Sequence, residues 1–114
     1  MAQQLTGHNN LLEDLLLSIQ DGDQNALAAL YRETSTSVYS FSLSILKNAY
    51  DAEDVLQECF IKIYESAKQY KPCGKPMAWI LTIAKNLCFM HLRQQSRTEP
   101  LPEQLDTQLT WSEE

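Results

Sequence analysis

The sequence predicts an all-α fold, a compact bundle of about four helices, and three observations carry that expectation. Apolar residues recur at three- and four-residue spacings in four separate stretches, the pattern of helices buried along one face. Only three glycines and four prolines interrupt 114 residues, too few turns for a many-stranded sheet. The strongest turn chemistry, Lys71-Pro72-Cys73-Gly74-Lys75-Pro76, falls between two of the periodic stretches. A chain of this length is one domain, near the lower end of sizes that fold without metal or disulfide, and 44% hydrophobic residues suffice for a core.

Residues 1–9 are polar and are expected to be a flexible lead-in to a helical domain spanning 10–97. Asn10 is placed to cap a first helix, with Glu13 three residues on at capping-box spacing. Leu11, Leu12, Leu15, Leu16 and Ile19 form its stripe, and Asp21-Gly22-Asp23 ends it. Asp23 caps a second helix reaching to about Leu46, with Ala26, Leu27, Leu30, Tyr31, Val38, Phe41, Ile45 and Leu46 as candidate core. Thr34-Ser35-Thr36-Ser37 has poor helix propensity, so a kink or short break is expected there. Lys47-Asn48-Ala49-Tyr50 reads as a tight connection.

The third helix, Asp51 to about Tyr70, has the clearest pattern. Val55, Leu56, Cys59, Phe60, Ile63, Tyr64 and Ala67 form its apolar stripe, and Asp51 stands at the N-cap position. Glu53 and Asp54 suit the helix dipole in the first turn, but Gln57 and Glu58 continue the polar face past any cap, which a basic protein partner would explain. After the Pro/Gly loop, Pro76 opens a last helix to about Gln95 with Met77, Ile80, Leu81, Ala84, Leu87, Cys88 and Leu92 as its buried stripe. Residues 98–114 are acidic, twice interrupted by proline, and read as a disordered or partly ordered linker or tail.

The formal net charge of −6 averages three unlike segments. Residues 1–60 carry nine acids against Arg32 and Lys47, residues 61–98 carry seven bases against Glu65, and residues 99–114 carry five acids and no base. Two faces of opposite charge imply two different partners, and an acidic total does not exclude a polyanion. No apolar run is long enough to span a membrane and no secretion signal is visible, so a cytoplasmic location is expected. Three unpatterned cysteines, Cys59, Cys73 and Cys88, suit reduced thiols better than a disulfide framework. No P-loop or dinucleotide fingerprint is present, Cys88 and His91 lack the further ligands that a zinc site needs, and neither enzyme activity, metal nor cofactor is expected.

The loop and last helix mix bases with aromatics: Tyr70, Lys71, Lys75, Trp79, Lys85, Asn86, Phe89, Arg93 and Arg97. Cationic side chains neutralise phosphates while aromatic faces stack on bases, the combination that single-stranded nucleic acid requires. The competing reading is a solvated basic face with Trp79 and Phe89 half buried in the core.

Two ordered motifs decide between them. Asp51-Ala52-Glu53-Asp54, Gln57-Glu58 and Phe60, followed by Ala78-Trp79, Ile83-Ala84, Asn86 and Arg93, resemble region 2 of an extracytoplasmic-function (ECF) sigma factor of the sigma-70 family. The resemblance covers roughly residues 24–97 and implies a transcription initiation module that recognises and melts the promoter −10 element. It implies docking through Asp51, Glu53, Asp54, Gln57 and Glu58 on a coiled coil of the largest catalytic subunit of bacterial RNA polymerase. It further implies capture of the −10 non-template strand by Tyr70, Lys71, Lys75, Trp79, Lys85, Asn86 and Arg93. An anti-sigma partner is common in the family, although no residue here demands one. Met90 stands where the family usually has Asp, and Gln94 and Gln95 where it usually continues with arginines. The family's second helical domain, which reads the −35 element, is not in this sequence, and the acidic tail resembles the linker that leads to it. A piece cut from a longer protein is the favoured explanation, and a naturally truncated protein is the other. The alternative is a helical interaction module, an adaptor or regulator without DNA reading.

Overall fold

Four helices make up the computed structural model, which describes the backbone of residues 2–98 and side chains from Gly7 to Ser96. They are α1 (Ala2–Gln20), α2 (Gln24–Leu46), α3 (Ala49–Ser66) and α4 (Pro76–Thr98), with a single 3₁₀ turn, Ala67–Gln69, closing α3. No strand occurs among the described residues, and the all-α expectation holds. The acidic segment from residue 99 onward lies outside the described residues.

α2 is the central element, packing against α1, α3 and α4. Its buried residues Ala26, Leu30, Thr34, Val38, Ser42 and Leu46 recur every four residues, so one line of side chains faces the core along the whole helix. Against them lie Leu12, Leu16 and Ile19 of α1, Val55, Cys59 and Ile63 of α3, and Ile80, Ala84 and Cys88 of α4. Leu12, Leu16, Leu30, Val38, Val55, Ile63 and Ile80 are fully excluded from solvent. At roughly 1.5–3 kcal/mol for each large apolar side chain buried, these contacts outweigh anything the helices have by propensity alone.

The helix boundaries follow their caps. Asp23 Oδ1 accepts the Asn25 and Ala26 N–H groups at 2.9 and 3.3 Å, as the sequence predicts for the start of α2. The expected break at Thr34–Ser37 is absent. Thr34 turns its hydroxyl inward to donate to the Leu30 carbonyl at 2.7 Å, and its methyl joins the core, so packing overrides propensity. α1 begins at Ala2, which places Asn10 inside the helix rather than at its cap. α3 begins two residues before Asp51: Asn48 is the N-cap, its Oδ1 accepting the Asp51 N–H at 3.0 Å. The connection between α2 and α3 is thereby reduced to Lys47 and Asn48. Lys47 sits at φ 59°, a left-handed C-terminal stop whose N–H donates to the Leu43 carbonyl at 2.8 Å.

Candidate nucleic-acid and protein interfaces

The acidic face grows directly from the start of α3. With Asn48 serving as cap, Asp51 is released from that task, and its Oδ2 accepts a hydrogen bond from Gln95 of α4 at 2.7 Å. One turn and two turns on, Asp54 and Glu58 share the face of Asp51. Glu58 is bridged to His91 of α4 at 3.2 Å. Glu53, Asp54, Gln57 and Glu58 are exposed, and Asp51 is half-buried under its partner. α4 therefore steadies two of the five acidic-face residues and leaves Asp54 and Gln57 open to solvent between them.

That face runs into an apolar groove. Leu27 and Tyr31 of α2 and Phe60, Ile61 and Tyr64 of α3 line a depression of about 410 Å³, with Gln57 and Glu65 on its rim. Tyr31 meets Phe60 edge to face, ring centroids 4.9 Å apart, while its own surface remains 42% exposed. Ile61 is 60% exposed and Tyr64 42%. The apolar spacing predicts both Tyr31 and Tyr64 in the core, whereas both are exposed here. The stripe of α3 is narrower than its apolar composition, and the surplus faces solvent.

The basic region has a different construction. Lys71, Pro72, Cys73, Gly74 and Lys75 are exposed, and Gly74 adopts φ 80°, a conformation open to glycine at little cost. Pro76 is buried and starts α4 as the sequence predicts. Trp79, Asn86 and Arg93 recur at seven-residue intervals, which sets them on one face of α4. Along that line Trp79 is half-buried while Asn86 and Arg93 are exposed; Lys85 lies to one side and is half-buried. Tyr70 is the exception. It is only 3% exposed, its ring packs edge-on to Trp79 at 5.1 Å, and its hydroxyl donates to Glu13 Oε2 at 2.6 Å. Burial, then the hydrogen bond and charge of Glu13, hold that hydroxyl protonated well above the ordinary phenol range. Tyr70 thus supports the site from beneath and offers no open ring face for stacking.

The comparison with known proteins identifies the family. The family model for sigma-70 region 2 matches residues 30–98, more than half of the chain. This chain belongs to the sigma-70 region 2 family. Its relatives place it among the ECF type. Over 85 residues it is 33% identical to the ECF RNA polymerase sigma factor SigK of Mycobacterium sp. (strain KMS), covering 74% of this chain and 44% of that protein. Over 90 residues it is 36% identical to the ECF RNA polymerase sigma factor SigE of Mycolicibacterium smegmatis, covering 75% and 35% respectively. With the ECF RNA polymerase sigma factor SigW of Bacillus subtilis (strain 168) the identity is 27% over 85 residues, covering 75% and 46%. The chain thus spans less than half the length of these relatives. No solved structure matches it.

Within this region 2 fold, sequence reasoning missed the residues that hold the basic loop in place. The sequence reads Glu13 as part of a capping box, yet its Oε2 accepts both the Tyr70 hydroxyl and, at 2.8 Å, the Gly74 N–H. Gln20 donates through Nε2 to the carbonyls of Ala67 and Tyr70 at 2.8 and 2.9 Å, closing the end of α3. Glu13 and Gln20 are seven residues apart on α1 and so share a face, but a polar pair at that spacing has no distinctive sequence signature. Among the described residues no group of three or more His, Cys, Asp and Glu side chains is arranged to hold a metal ion. Nor is any described helix long and apolar enough to cross a membrane.

Proposed function

We propose that this region 2 module docks on bacterial core RNA polymerase through the α3 face and captures the promoter −10 non-template strand with the basic loop and α4. The observation that carries the reading is the separation of the two chemistries. Asp54, Gln57 and Glu58 present acid and amide on α3, while Trp79, Asn86 and Arg93 align on α4 behind Lys71 and Lys75. The mechanism is binding without covalent chemistry. Lysines and Arg93 neutralise phosphates, Asn86 supplies amide donor and acceptor to a base edge, and Trp79 offers a partly open aromatic surface against which an unstacked base can rest. Melting then follows from selective stabilisation of the opened strand.

The groove of Leu27, Tyr31, Phe60, Ile61 and Tyr64 extends the polymerase contact. It shares Gln57 with the acidic face, and an interface with an apolar centre and a charged rim is the usual anatomy of a specific contact. The same groove favours the second reading, an interaction module without DNA reading. Binding of a fluorescent single strand carrying a −10-like non-template sequence, with and without core polymerase, separates the two. Expected is sequence-dependent binding that requires polymerase, falls about tenfold or more with Asp54→Lys, and weakens for every sequence with Lys71→Glu. Polymerase binding without oligonucleotide preference would leave only the interaction module.

A further inference from the structure

Glu13 belongs to neither face, yet the basic loop rests on it. One carboxylate oxygen, Oε2, takes a hydroxyl from Tyr70 and a backbone N–H from Gly74, groups 57 and 61 residues away in sequence. The second oxygen, Oε1, is buried and has no hydrogen-bond partner among the described residues. The carboxylate thus links α1 both to the buried Tyr70 hydroxyl and to the exposed backbone of the loop.

The two bonds fix different things. Gly74 is the loop residue at φ 80°, so tying its N–H holds the loop in one of the several conformations that glycine permits. Tyr70 lies edge-on to Trp79, so tying its hydroxyl sets the ring against which Trp79 packs at the start of α4. Gln20 grips the carbonyls of Ala67 and Tyr70 from the same helix, which makes α1 the platform for the entry to the loop.

From this we infer that Glu13 is the positioning residue of the DNA-reading loop: its carboxylate presets Lys71–Lys75 and Trp79 for a single-stranded, −10-like sequence. The inference rests on the DNA-reading function proposed above. Ordering a Pro/Gly loop before the strand arrives removes a cost that would otherwise be met on binding, and it holds the loop in the geometry that discriminates between bases.

The test uses the 114-residue chain with bacterial core polymerase and a pair of fluorescent single strands, one −10-like and one scrambled. Glu13→Ala is expected to speed hydrogen exchange at the Gly74 amide. The ratio of affinities for the two strands should fall about tenfold while the affinity for core polymerase stays unchanged. Glu13→Gln keeps an acceptor and should hold the ratio within about twofold of the wild type. Tyr70→Phe keeps the ring and the Gly74 bond and should lie between the two. An unchanged ratio in Glu13→Ala, or unchanged Gly74 exchange, overturns the inference. Should Glu13→Ala fail to fold, Tyr70→Phe decides, and a wild-type ratio there overturns it. A wild-type chain without polymerase-dependent preference sinks the proposed DNA reading first, and this inference with it.

Discussion

Cysteine placement separates three thiols that look alike in the sequence. Cys59 and Cys88 are buried between α3 and α4, and Cys73 stands exposed on the basic loop. Burial, with the neighbouring Cys88, pushes the Cys59 thiol from 9.0 up to about 12; burial raises Cys88 too, offset in part by the Ser42 hydroxyl beside it. A thiol reagent near neutral pH should accordingly label one cysteine quickly, and the other two only on unfolding. Peptide mapping after brief alkylation reads this directly. The same shift sets a pH dependence. Above about pH 9 the unfolded chain releases the Cys59 proton while the folded chain retains it. The unfolded state then binds fewer protons, and stability falls as pH rises from about 9 towards 12. Thermal midpoints measured across that window should decline in the wild type and decline less in Cys59→Ala, allowing for its lower starting value. Backbone strain gives a second test at this scale. Lys47 holds φ 59° without being glycine, so Lys47→Gly should stabilise the fold by about 0.5–1 kcal/mol, read by denaturant titration.

Among the elements, α3 shows how a cap and an exposed acidic face divide their labour. The sequence points to Asp51 as the cap, and Asn48 three residues earlier reads there only as part of the connection. The structure uses Asn48, leaving the Asp51 carboxylate to receive Gln95 from α4. Asn48→Ala should cost about 1 kcal/mol, a thermal midpoint lower by about 4–8 °C for a domain of this size, with little effect on polymerase affinity. Asp54→Lys should do the reverse, since Asp54 is exposed and contributes no cap. The uninterrupted α2 carries a related lesson. Four consecutive hydroxyl residues look like a helix break when weighed by propensity. Only the packed neighbours reveal that Thr34 is core and that its hydroxyl is satisfied by its own helix.

For the molecule as a whole, the contrast between Ile61 and Ile63 is the sharpest. Two residues apart on one helix, the first is 60% exposed in the groove and the second is fully buried. Ile63→Ala should destabilise the fold by about 2–5 kcal/mol in denaturant titration. Ile61→Ser should leave stability within about 0.5 kcal/mol and weaken core polymerase binding instead. Equal effects of the two substitutions on stability would mean that the groove is part of the core and no interface.

Local spacing and short motifs already specify the all-α class, the presence of four helices, the Asp23 cap, the Pro76 start, the two charged segments and the family. Tertiary structure alone decided which apolar residues stay outside. A helix has more apolar positions than its neighbours can cover, and the number covered depends on how α2 and α3 meet. It also decided that Tyr70 is a buried support and that Glu13 is its partner. That hydrogen bond joins residues 57 positions apart, and no local pattern encodes a contact that exists only once α1 lies beside the loop.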